Sequence, residues 1–246
     1  YRNEDQSIDK RLDEFTSEGH PVIRIIAQSK YDLIGEFYRW EVATAVAGAV
    51  MKINPFDQPN VQEAKTLTNN FLKNISSSDS VTPELADFPE SDVKGRAGSN
   101  STGDIVSAWK NMWHSLKDGD YISVLAFLPS TPELNEKLRD LAGQIRLMTK
   151  KAVTVGLGPR YLHSTGQLHK GGADNGVFLV LTAPAKNDFD LPIPDVVYSF
   201  KQLESAQALG DFNALESKGR RVFYLQLKDT SVRSFDSLIQ LINDQF

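Results

Sequence analysis

The first patterned stretch of the chain is Pro21-Val22-Ile23-Arg24-Ile25-Ile26-Ala27, a short β-branched run with little polar alternation. Such a run reads as a strand buried on both faces of a parallel sheet. Asp32 then stands where a cap is expected for a helix in which Leu33, Phe37, Trp40, Ala43 or Thr44, Ala47 and Val50 or Met51 recur at three- and four-residue spacing. The pair predicts a β–α unit. Ala43, Ala45, Ala47, Gly48 and Ala49 suit close packing of that helix on a sheet or on another helix. Two prolines stiffen the polar loop 53–59, and Asn60 is placed to cap a second helix running through about residue 72.

Further along, the pattern becomes regular. An amphipathic helix is expected over 104–116, with Ile105, Trp109, Met112 and Leu116 on one face. Strands are expected at 121–128, 152–157, 177–182 and 222–227, and helices at 132–149, 199–217 and 234–244. Strands and helices that alternate through short connections imply a three-layer, doubly wound α/β fold with a mostly parallel sheet. Residues 76–102 break the rhythm, being rich in Ser, Asp, Pro and Gly and poor in large apolar groups. The organisation expected is therefore a first βα portion at 1–75, a linker or mobile loop at 76–103, and the rest of the same domain at 104–246.

Composition narrows the class of function. With 246 residues, 40% hydrophobic and 24% charged, the chain is an ordinary globular one with enough mass for a core of its own. Its net charge of −5 has the wrong sign for a dedicated nucleic-acid binder. The absence of cysteine removes disulfides, thiolate metal sites and a Cys nucleophile. No apolar run reaches the 18 residues or so of a membrane span, and the polar N-terminus does not resemble a signal peptide, so no membrane association is expected and the expected location is the cytoplasm. The chain begins at Tyr1, which points to a piece of a longer protein.

In an open α/β sheet ligands bind beyond the carboxyl ends of the strands, and two loops there hold candidate chemistry. The first is the stretch 53–60, which leads into a helix carrying Lys65. That lysine, about one turn in, either reaches a ligand held by the loop or points at water. The second is 156–172, with His163, His169, Arg160, Lys170 and five glycines in seventeen residues. Such a loop either brings backbone amides and imidazoles up to a phosphate or is a glycine-rich surface turn. Neither a Walker loop nor a dinucleotide fingerprint is present, so a nucleotide- or flavin-binding reading lacks any motif. The two histidines have no accompanying carboxylate, which makes a poor metal site, and Ser164 lies outside any nucleophile-elbow context.

These same loops carry a resemblance. Phe37-Tyr38-Arg39-Trp40-Glu41-Val42-Ala43-Thr44-Ala45-Val46-Ala47-Gly48, followed by Ile53-Asn54-Pro55-Phe56-Asp57-Gln58-Pro59-Asn60-Val61 and Lys65, resembles the C-terminal part of phosphoglucose isomerases, above all those fused to a transaldolase. Gly158-Pro159-Arg160-Tyr161-Leu162-His163-Ser164-Thr165-Gly166-Gln167-Leu168-His169-Lys170-Gly171-Gly172 is similar to the C-terminal region of the same fusions. The resemblance implies a sugar-isomerase (SIS) domain with a flavodoxin-like sheet. It implies interconversion of glucose 6-phosphate and fructose 6-phosphate, with no metal or organic cofactor. Lys65 matches the family lysine that assists ring opening, and His163, aligned with a one-residue gap before His169, is the matching histidine. Gln58, Arg160, Ser164, Thr165, Gln167 and His169 are the substrate-binding candidates.

The resemblance further implies a sugar phosphate as partner, together with upstream isomerase domains, a transaldolase domain in the fusions, and a homodimer. The family's proton-transfer glutamate, in a Glu-Ser-x-Gly-Lys context, and its Ser/Thr-rich phosphate loop have no counterpart in this sequence. The order of the lysine and histidine motifs is also reversed. The expectation is a domain that supplies part of an active site and does not turn over alone; the alternative is a sugar-phosphate-binding or structural SIS module without catalysis.

Overall fold

The computed structural model describes residues 6–57, 59–73, 81–184 and 190–246, with the backbone alone for 6–7 and 59–64. The chain divides into two units, 1–57 and 58–246.

In the first unit, α1 (Gln6–Ser17) is followed by an extended segment and then α2 (Asp32–Met51). The run 21–27, expected as a buried strand, pairs with no described strand, and Ile23 and Ile26 are 88% and 85% exposed. A β-branched run adopts an extended backbone by itself but becomes a strand only where a sheet edge offers partners. Arg24 instead bonds to Asp13 at 2.5 Å. Asp32 does not cap α2 forwards. Its carboxylate accepts the N–H groups of Ser29 and Gln28 at 2.9 and 2.7 Å, and these bonds lower its pKa. At the far end, Gly48 lies against Pro55, where an added Cβ would come within 2.7 Å of the proline ring.

The second unit is built on one six-stranded sheet. Its elements are α3 (Pro59–Lys73), β1 (Ala86–Asp87), β2 (Val93–Ala97), α4 (Ile105–His114), β3 (Tyr121–Phe127), α5 (Pro132–Thr149), β4 (Ala152–Leu157), α6 (Gly166–Gly171), β5 (Gly176–Thr182), α7 (Phe200–Ser217), β6 (Arg221–Leu227) and α8 (Val232–Asn243), with a 3-10 helix at Arg160–His163. The strand order is β1-β2-β6-β5-β3-β4. β4, β3, β5 and β6 run parallel, in register at Val124↔Val155, Val124↔Leu179 and Val180↔Tyr224. The expected three-layer, doubly wound, mostly parallel α/β architecture is present.

The sequence-based domain boundaries do not hold. α3 belongs with the second unit and packs on α7 and α6. The stretch 76–103, expected as a linker or mobile loop, contributes β1 and β2, which extend the sheet antiparallel to β6; residues 76–80 lie outside the described residues. Few apolar anchors are needed here because an edge hairpin borrows its ladder from the sheet. Phe88 and Val93 are buried, Glu90 turns the chain with φ 56°, and the backbone N–H of Asp92 bonds to Ser237 Oγ on α8 at 2.9 Å.

Strand alternation divides the core into two layers. Ile122, Val124 and Ala126 face a cluster with Trp109 and Trp113 of α4, Leu138 and Leu141 of α5, and Phe235 and Leu238 of α8. Leu125 and Phe127 face the opposite cluster, with Tyr161, Phe178, Phe212 of α7 and Tyr224. β4 follows β3 on one side and β5 lies on the other, so the winding reverses between β3 and β5. Their carboxyl ends mark the topological switch point where such sheets hold ligands.

Candidate functional site

The chain leaves β4 through a tight turn. Gly156 has no Cβ to displace the Tyr161 ring, which would lie 2.9 Å from one, and the N–H of Gly158 bonds to Ala126 O of β3 at 2.8 Å. The Gly158–Pro159 bond is cis. The stretch read in sequence as a glycine-rich loop then folds into the 3-10 helix and α6.

This segment closes one side of a cavity of about 240 Å³. Lys65, Thr68 and Asn69 come from α3, Pro159, Leu162 and His163 from the turn, Lys170 from α6, and Leu203 and Gln207 from α7. Two residues singled out from distant stretches of sequence, Lys65 and His163, therefore line one cavity. Pro159, Leu203 and Gln207 also border a wider cleft of about 920 Å³ between the carboxyl ends of the parallel strands, walled by Leu134, Ala183 and Phe200.

Behind the cavity lies a buried polar network. Lys170 and Asp211 are 3% and 1% exposed and form an ion pair, and the Tyr161 hydroxyl donates to the same carboxylate. Burial first, and then the charge and hydrogen bond of Asp211, push the Tyr161 phenol well above its ordinary pKa. Arg220 donates to the carbonyls of Lys170 and Gly172 at 2.9 and 2.6 Å and pairs with Asp174 at 3.1 Å, fastening the end of α6.

The other candidates lie elsewhere. Arg160, Ser164 and Thr165 are exposed and outside the cavity lining, with Ser164 Oγ donating to Tyr161 O at 3.2 Å. Gln167 is half-buried outside the lining, and Gln58 lies outside the described residues. His169, expected to touch substrate, is packed instead among Tyr121, Tyr161 and Phe178. On the short helix α6 it points into the sheet-facing layer, and burial lowers its pKa to about 4. A polar loop in sequence becomes a helix with one face inward, and helical periodicity decides which polar residues reach the ligand side.

Tyr161, Lys170 and Asp211 form a set that no local sequence pattern joins. Their signal was Asp211, a lone carboxylate amid Ala206, Ala208, Leu209, Gly210, Phe212 and Ala214, since a charge on the inner face of a packed helix needs a partner.

Among the described residues no three His, Asp or Glu side chains are grouped to hold a metal ion, and no helix is long and apolar enough to cross a membrane. No family model and no curated protein matches the chain. Among solved structures the chain is similar to hypothetical protein TT0462 from Thermus thermophilus, at 18% identity and a TM-score of 0.47, over 57% of this chain and 38% of that one.

Proposed function

We propose that residues 58–246 carry part of the sugar-phosphate site of a glucose-6-phosphate isomerase, as its C-terminal SIS-type portion. The supporting observation is that Lys65 and His163, the two residues matched to the ring-opening lysine and histidine, line the same cavity at the carboxyl edge of the parallel sheet. Opening a hexose ring requires one group to give a proton to the ring oxygen and another to take one from the anomeric hydroxyl, both held close to the sugar. An imidazole and an amine on one cavity suit that pair of tasks. The cavity, about 240 Å³, is smaller than sites for drug-sized ligands and suits a compact polar molecule.

In this reading the ligand is a sugar phosphate, no metal or organic cofactor takes part, and the setting is the cytoplasm. The protein's partners are the other domains of the isomerase, a transaldolase domain in fusion-type proteins, and a second copy in a homodimer. The second reading, sugar-phosphate binding without isomerisation, is favoured by one observation: the described lining residues include no carboxylate to move a proton between adjacent carbons. A coupled assay of fructose 6-phosphate conversion, run beside calorimetric binding of the same sugar, separates the two. Conversion that falls in Lys65→Ala supports the isomerase. Binding without conversion, in this chain and in any longer form of the protein, supports the binding module, and absence of both sinks the sugar-phosphate reading.

A further inference from the structure

Asp211 sits in the most buried stretch of α7 and meets two partners, the Tyr161 hydroxyl and the Lys170 ammonium. A buried ion pair is seldom more stabilising than apolar side chains of the same volume, so stability alone is a poor account of it. Both partners belong to the segment that carries His163. Tyr161 lies in the same 3-10 helix, and Lys170 lines the cavity with His163 and Lys65. The Lys170 side chain runs back along α6, its Nζ 3.7 Å from the position of a Cβ on Gly166. An ammonium has three N–H donors, and pairing with one carboxylate leaves capacity for an oxyanion.

We propose that Asp211 is a positioning residue that holds Lys170 in the cavity wall as a contact for the ligand's phosphate and anchors, through Tyr161, the turn that presents His163. The proposal rests on the sugar-phosphate reading for the identity of the anion. One carboxylate thus sets the position of a binding cation and of a candidate acid–base group. This is a task that an apolar replacement of the ion pair cannot perform.

The test uses the full chain with Lys170→Met, Asp211→Leu and the double variant. Each single variant strands a buried charge and is expected to lower stability to urea, and the double variant is expected to recover the part lost to the stranded charge, the buried Tyr161 hydroxyl still lacking its acceptor. Affinities for fructose 6-phosphate, inorganic phosphate and unphosphorylated fructose are measured by calorimetry. Loss of one charge-assisted contact is expected to weaken both phosphate-bearing ligands by about tenfold or more in Lys170→Met, with fructose unaffected. That weakening should persist in the double variant. Amides of 160–164 should exchange faster in Asp211→Leu and in the double variant while those of β3 and β5 stay protected. Affinity and loop protection that return along with stability in the double variant would show a purely structural pair and overturn the proposal. A wild-type chain that binds inorganic phosphate but not fructose 6-phosphate keeps the proposal and removes the isomerase reading. A chain that binds neither overturns both.

Discussion

The Tyr121 hydroxyl and Nδ1 of His169 lie 3.0 Å apart, joining the start of β3 to α6 inside an aromatic layer that includes Phe178 and Tyr161. Burial holds the imidazole neutral by lowering its pKa from 6.5 to about 4; the Asp211 charge opposes that shift and Lys170 adds to it. The unfolded chain takes up a proton near pH 6.5 that the folded chain refuses until about pH 4. Stability is therefore expected to fall as pH drops through that window and to change little from this group above it. Urea midpoints for wild type and His169→Gln between pH 7 and pH 4 check this. The variant should lose less stability over the window, and parallel curves would contradict the assignment.

Lys65 is exposed at the cavity rim, so its removal should cost the fold little. Lys65→Ala is expected to weaken fructose 6-phosphate binding by about tenfold, while stability stays within about 0.5 kcal/mol of wild type. Calorimetry and a urea titration on the same preparation read both effects, and unchanged affinity would remove Lys65 from the site.

Gly156 leaves room for the Tyr161 ring, and a methyl group there would meet ring atoms at 2.9 Å. Gly156→Ala is expected to cost about 1–3 kcal/mol through overpacking and to push Tyr161 away from Asp211. A fall in stability accompanied by weaker sugar-phosphate binding, compared with Gly143→Ala on α5, where a Cβ meets open space, would confirm that the turn and the cavity move together.

Phe88 is 2% exposed, with its ring 5.6 Å from that of Trp109, and Trp109 in turn contacts Trp113 and Phe223 edge-on. Phe88→Ala is expected to cost about 3–5 kcal/mol, as for a large aromatic lost from a packed core. Were 81–103 merely a tether, the same change would be close to neutral, so a single denaturation curve distinguishes the two descriptions.

The parallel core was legible because its strands are covered on both faces. Ile122 to Phe127 and Val177 to Leu181 are nearly continuous apolar runs, and burial on two sides leaves that trace in composition alone. The helices between them announce their starts with side-chain oxygens, Thr131 for α5 and Ser199 for α7, each accepting a backbone N–H of the first turn. The hairpin of β1 and β2 left little trace, since an edge pair needs only a ladder from β6 and two buried side chains. The run 21–27 shows the converse, a strong strand pattern without a described strand to pair with.

At the site, residue types marked 53–60 and 156–172 as candidate loops, and the resemblance to phosphoglucose isomerases is what singled out Lys65 and His163. Which polar residues of 156–172 turn inward was set by tertiary structure. Once that stretch coils into a 3-10 turn and a short helix, His169 is carried into the aromatic layer and Lys170 to the cavity wall beside Asp211 of α7. Local sequence encodes periodicity and caps. The meeting of Lys170 and Asp211 depends instead on how α6 and α7 pack over one face of the sheet, a relationship between distant segments that no local pattern contains.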